Sequence, residues 1–108
     1  MSRPGAHECG LDAAMGVIGG KWKVSILWAL GRRPWCRFGQ LRRLLPGVTE
    51  KVLASHLREM ERDGLVRREA HDEVPPRVEY SLTERGVELN KALEPLGEWG
   101  RRNVLARA

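Results

Sequence analysis

The chain has little with which to build a covalently stapled or membrane-borne structure. Its only cysteines are Cys9 and Cys36 among 108 residues, too few for a disulfide framework. No apolar run approaches the ~20 residues needed to cross a bilayer. The opening MSRPGAHECG also lacks the apolar segment of a secretory signal, so a cytoplasmic location with no membrane contact is expected. Of the histidines His7, His56 and His71, only His7 stands at a ligand-like spacing from a cysteine, Cys9. Spacing therefore points to no metal site and no other cofactor. Neither a hydrolase triad nor a phosphate-cradling glycine loop can be assembled, and an enzyme is not expected. Internal repeats and low-complexity tracts are also missing.

What is present is the composition of a small folded domain. A core of this size is often supplemented by pairing with a second copy. Charge is unevenly placed. Residues 31–62 carry eight basic side chains (Arg32, Arg33, Arg37, Arg42, Arg43, Lys51, Arg58 and Arg62) against Glu50, Glu59 and Glu61, which accounts for the whole net charge of +5. Cationic charge gathered in one stretch favours a polyanionic partner, although a merely solvated face would look the same on charge alone.

Apolar spacing divides the chain into elements. Residues 1–8 read as a disordered tail and 9–105 as one domain. Leu11, Met15 and Ile18 recur at helical intervals up to Gly19-Gly20, and a more apolar helix follows from about Lys21 to Leu30. FGQLRRLL predicts a third helix, stopped by Pro46-Gly47. The next helix, about 50–63, has sharp ends. Thr49 is an N-cap, Val48 and Leu53 stand as a hydrophobic staple, and Gly64 with Leu65 offers a Schellman ending. The period then changes to two over residues 65–69 and 77–82, predicting a hairpin whose link, HDEVPP, is stiffened by Pro75-Pro76. Thr83 caps a last helix bearing Leu89, Leu93, Leu96 and Trp99, which Pro95 is expected to kink or divide. The fold class is therefore mainly α with a small β-hairpin, a winged helix-turn-helix.

The helix at 50–63 has two opposed faces. At about 100° per residue, Leu57 and Met60 fall within about 40° of Leu53, whereas Lys51, Ser55, Arg58 and Arg62 lie about 140–200° away. The apolar row fastens the helix to the domain and the basic row points outward. Such a helix fits the major groove of B-DNA, where Arg and Lys reach guanine O6 and N7 and Ser can donate or accept. Ala54 is small enough to let the backbone approach and can touch a thymine methyl. The helix N-terminus at Thr49 offers free N–H groups to a phosphate. Arg37 and Arg42 precede this helix, and Pro76 and Arg77 follow on the wing, where Arg77 is placed to hold a phosphate or enter a minor groove. A rival of another class is a protein-interaction or dimer-scaffold module that grips an acidic partner with the same face.

Several segments carry a family resemblance: IGGKW (Ile18 to Trp22), RFGQLRRLLPGVTEKVLASHLREMERDGLV, EVPPRVEYSLTERG, and EWG near Trp99. Together they resemble the HxlR-type winged-helix transcription regulators, relatives of the MarR proteins, over roughly residues 9–102. The resemblance implies a homodimeric regulator of bacterial transcription that binds inverted repeats in double-stranded DNA, with the wing tip around Pro75, Pro76 and Arg77 against the duplex. It also implies that the N- and C-terminal helices form the dimer, which points to Leu11, Met15, Leu89, Leu93, Leu96 and Trp99.

Many members of that family open with a Cys-Pro pair whose cysteine senses oxidants or electrophiles. Cys9 matches the cysteine, and Gly10 replaces the proline. A thiolate beside a helix start is stabilised by the helix dipole, while Glu8 and Asp12 oppose it. Cys36, His56, Trp22 and Trp28 read as packing residues, Trp28 and Trp22 at the core or the dimer contact. A small oxidant, electrophile or aromatic effector completes the list of expected partners.

Overall fold

Short-range signals set the ends of most elements in the computed structural model, which describes residues 9–107. The expected tail at 1–8 lies outside the described residues. Helix α1 (Gly10–Ile18) ends at Gly19, and α2 (Lys21–Gly31) begins after Gly20. Helix α3 (Phe38–Leu44) is followed by α4 (Glu50–Arg62), strands β1 (Val66–His71) and β2 (Arg77–Leu82), helix α5 (Glu84–Asn103), and a 3₁₀ turn at Leu105–Arg107. The α+β winged helix-turn-helix expected from the sequence is the architecture observed.

The ends of α4 show why. Thr49 Oγ1 accepts from the Val52 N–H at 3.1 Å, and Val48 and Leu53 of the staple are both buried. At the other end, Leu65 N–H donates to Met60 C=O at 2.9 Å and Gly64 N–H to Glu61 C=O at 3.1 Å. This is the paired bonding of a Schellman motif, and it requires the positive φ of 76° that Gly64 adopts.

Thr83 joins three elements. Its hydroxyl donates to Gly64 C=O at 2.5 Å and accepts from Gly86 N–H at 3.1 Å, while its own N–H donates to Leu65 C=O at 3.0 Å. The end of α4, the root of β1 and the start of α5 therefore meet at one residue. Gly86 is buried against the Leu65 carbonyl, where a Cβ would collide with it.

The core lies under α4. Ile26, Leu27 and Leu30 of α2, Leu41 of α3, and Leu53, Leu57 and Met60 of α4 are buried together with Val66 at the wing root. The two strands pair antiparallel, Val66 with Leu82 through His71 with Arg77. Cys36 adds a single bridge on the far side of β2, exchanging two backbone hydrogen bonds of 2.8 Å with Tyr80. That bridge ties the wing to the loop between α2 and α3. Burial raises the Cys36 thiol pKa, opposed in part by the Arg33 guanidinium.

Helix α5 is one continuous helix across Pro95, so the expected division does not occur. Proline removes one N–H and frees the Lys91 carbonyl. Both residues are exposed, so water can take the freed acceptor, and the turns on either side hold the helix together.

Candidate nucleic-acid interface

On α4, burial follows the two faces. Leu53, Leu57 and Met60 are fully inside, while Lys51, Arg58 and Arg62 are exposed. Among the described residues, none of these three cations has an ion-pair or hydrogen-bond partner. Ala54 and Ser55 are half-buried at the edge of the basic face. Arg58 and Ala54 also line a concavity of about 470 Å³ between α4 and the wing, with Arg68 and Tyr80 on its other wall.

The cations around α4 differ in availability. Arg42 Nη1 reaches Glu50 Oε1 at 3.2 Å, linking α3 to the first turn of α4. Both groups are exposed, so this pair aligns the two helices more than it stabilises them. It also gives Glu50 a partner within the fold. Arg37 is exposed at the start of α3, where its backbone N–H donates to Gln40 Oε1 at 2.8 Å. At the wing tip Val74, Pro75 and Pro76 are exposed. Arg77 is drawn inward instead. Its guanidinium lies 3.1 Å from Glu73 Oε2 and 3.4 Å from Glu79 Oε2, so contact with a phosphate requires it to leave those carboxylates.

A buried charge supports α4 from beneath, which the spacing of apolar residues did not reveal. Lys23 on α2 is only 8% exposed, and its Nζ lies 3.4 Å from Glu59 Oε1 on α4. His56 Nδ1 is 3.6 Å from the same oxygen. Lys23, followed by His56, holds the Glu59 carboxyl below its ordinary pKa. His56 therefore flanks the core as expected, but beside a carboxylate.

Away from α4, the terminal helices leave apolar side chains uncovered. Leu11 is 70% exposed and Trp99 54%, and Met15 and Leu96 are exposed too. Leu89 and Leu93 are half-buried and pack against the core of their own chain. Trp28 is exposed beside a concavity of about 460 Å³ between α2 and α5, lined also by Val24, Asn90 and Leu93. The Arg32 guanidinium lies 4.7 Å from the centre of the Trp28 ring. Cys9 is an exposed free thiol at the N-cap of α1.

Residues 17–107 match the model of the HxlR-like helix-turn-helix family. The chain is 46% identical over 93 residues to YkvN of Bacillus subtilis, described as an uncharacterized HTH-type transcriptional regulator, covering 86% of this chain and 78% of that one. Among solved structures, a protein from Enterococcus faecalis V583 assigned to the MarR family of transcriptional regulators superposes with a TM-score of 0.80 at 45% identity, covering 90% of this chain and 87% of that one. The redox regulator HypR in its reduced form gives 0.82 at 40% identity, over 93% and 100% of the two chains.

Proposed function

The chain belongs to the HxlR-like helix-turn-helix family, and from that premise we propose how it engages DNA. Its place among transcription regulators makes it a DNA-binding regulator, in a family whose members are generally not enzymes. In the reading we favour, two copies pair through α1 and α5 and set their α4 helices into successive major grooves about 34 Å apart on an inverted repeat. Lys51, Arg58 and Arg62 face the groove, with Ala54 and Ser55 at the backbone's closest approach. The first turn at Thr49, with Arg37 and Arg42 nearby, meets phosphates. Pro75 and Pro76 brace the wing, and Arg77 holds that loop in shape through Glu73 and Glu79.

The observation that carries this reading is the division of α4 into a buried apolar row and an exposed cationic row with no ion-pair or hydrogen-bond partner among the described residues. Selection from a randomised DNA pool tests it, with an enriched two-fold symmetric site as the expected result. Absence of any enriched sequence would instead favour an acidic protein partner, a role that the family does not favour.

The uncovered apolar residues of α1 and α5 support the dimer. Exposed Cys9 is assigned a sensing role, in line with HypR being named a redox regulator. A Cys9→Ser protein should then bind DNA normally and lose its response to oxidant. The Trp28 concavity is the site we assign to an aromatic effector, which would lie against Val24 and Leu93.

A further inference from the structure

The outer face of the wing carries charge of the wrong sign for a surface laid against DNA. In the observed register Glu69 stands directly opposite Glu79, and His71 directly opposite Arg77, all four on one face of the hairpin. Like charges directly opposite each other across two strands are destabilising, and His71 and Arg77 pair with Glu79 alone of the two carboxylates. We infer that Glu69, His71 and Glu79 bind a divalent transition-metal ion of the zinc class.

One donor atom from each of the three lies within 4.8 Å of the others, and His71 Nε2 is already 2.9 Å from Glu79 Oε1. Zinc bonds of about 2.0–2.2 Å place tetrahedral ligands roughly 3.4 Å apart, so closing the set takes about 1.5 Å of side-chain movement at most. Glu69 is exposed and free to make it. The second oxygen of Glu79 lies 3.4 Å from Arg77 Nε, and Arg77 in turn pairs with Glu73. Arg77 thus sits behind the ligand carboxylate as an ion-pair partner and leaves its other oxygen to the metal. Glu69, Glu73 and Glu79 against Arg67 and Arg77 on the same face leave one formal negative charge, which a divalent cation reverses. An imidazole with two carboxylates suits zinc, whereas magnesium and calcium prefer all-oxygen sets. On binding, the metal takes the Nε2 lone pair of the neutral ring, whose proton then sits on Nδ1, and the Nε2···Oε1 contact with Glu79 gives way to two metal bonds. Three protein ligands leave a fourth position for water. The bound ion would pin β1 to β2 and turn an acidic wing face cationic, raising affinity for DNA. That last step rests on the DNA reading above, and the site itself does not.

Calorimetric titration of zinc into the full chain tests the site, with His7→Ala and Cys9→Ser removing the other nitrogen and sulfur donors near the N-terminus. One zinc per chain is expected, uncontested by excess magnesium, and His71→Ala or Glu69→Gln should each weaken it at least about tenfold. No uptake at micromolar zinc, or equal affinity in all variants, would overturn the site. Zinc should also tighten binding to a selected DNA sequence in the parent chain and not in His71→Ala. Zinc held by the three residues with DNA affinity unchanged would overturn the coupling and leave the site standing. Failure to bind DNA with or without zinc would count against the DNA reading alone.

Discussion

Replacing Arg58 with Ala isolates the role of the exposed face of α4. The side chain has no ion-pair or hydrogen-bond partner among the described residues, so truncation breaks no such bond among them. Stability should move by no more than about 0.5 kcal/mol, as for ordinary surface substitutions. If each Arg58 makes a two-pronged contact to guanine, each contributes about 1–3 kcal/mol of discrimination. A dimer carries two such helices, so the loss doubles to about 2–6 kcal/mol, a weakening between about 30-fold and more than 10⁴-fold. Lys51→Ala, on the same face nearer the helix start, should behave differently if it meets a phosphate. It should weaken cognate and random DNA alike and flatten the salt dependence by about one unit per contact. Fluorescence anisotropy with a selected site and a random competitor, at fixed salt, separates the two patterns. Arg58→Ala protein that melts normally, remains dimeric and binds the selected site as tightly as the parent would refute the assignment of this face to base reading.

Other consequences can be measured independently. With about four phosphates neutralised per protomer, log K for the dimer should fall against log salt with a slope of about −7, and a flat response would exclude electrostatic binding. Leu57→Ala empties a fully packed site under α4 and should cost about 2–5 kcal/mol, seen as a lower urea midpoint with unchanged slope. The Glu59 carboxyl titrates below its ordinary value of 4.5 because of Lys23 and then His56. Its stabilisation should be complete above that value and disappear as pH falls through the lower folded value, so urea melts of the parent and Glu59→Gln should differ at pH 6 and converge in strong acid.

Features governed by neighbours a few residues away were legible in the sequence. Thr49, Gly64 and Thr83 close helix ends through bonds spanning three to five residues, plus two longer bonds at Thr83, and their residue types announce that geometry. The facing of α4 was legible for the same reason, since one helical period relates Leu53 to Leu57 and Lys51 to Arg58. Features set by two distant segments were not. Lys23 reads as one more exposed cation until α2 is laid across α4 and buries it against Glu59. The grouping of Glu69 and His71 with Glu79 depends on strand register, which spacing along one strand does not display. Cys36 was read as a packing residue, and its bridge to Tyr80 appears only when the wing folds back over the loop before α3. Arg77 has the residue type of a phosphate contact, yet two carboxylates brought beside it by the hairpin hold it. Pro95 was read from its local penalty, and the helix continues because the acceptor it frees faces water.

The junction at Thr83 has a mechanical consequence. Helix α5 is 20 residues long, a rod of about 30 Å fixed at its first turn to the end of α4 and the root of β1 and, as far as Leu93, to the core and α2 through Leu89, Asn90 and Leu93. A bend of roughly 10° beyond Leu93 sweeps its far tip through about 2.5 Å. Conversely, a modest sideways push at Trp99 arrives at α4 as a small, geared-down rotation, so any strain imposed where two such rods cross would retune the stride between the paired helices.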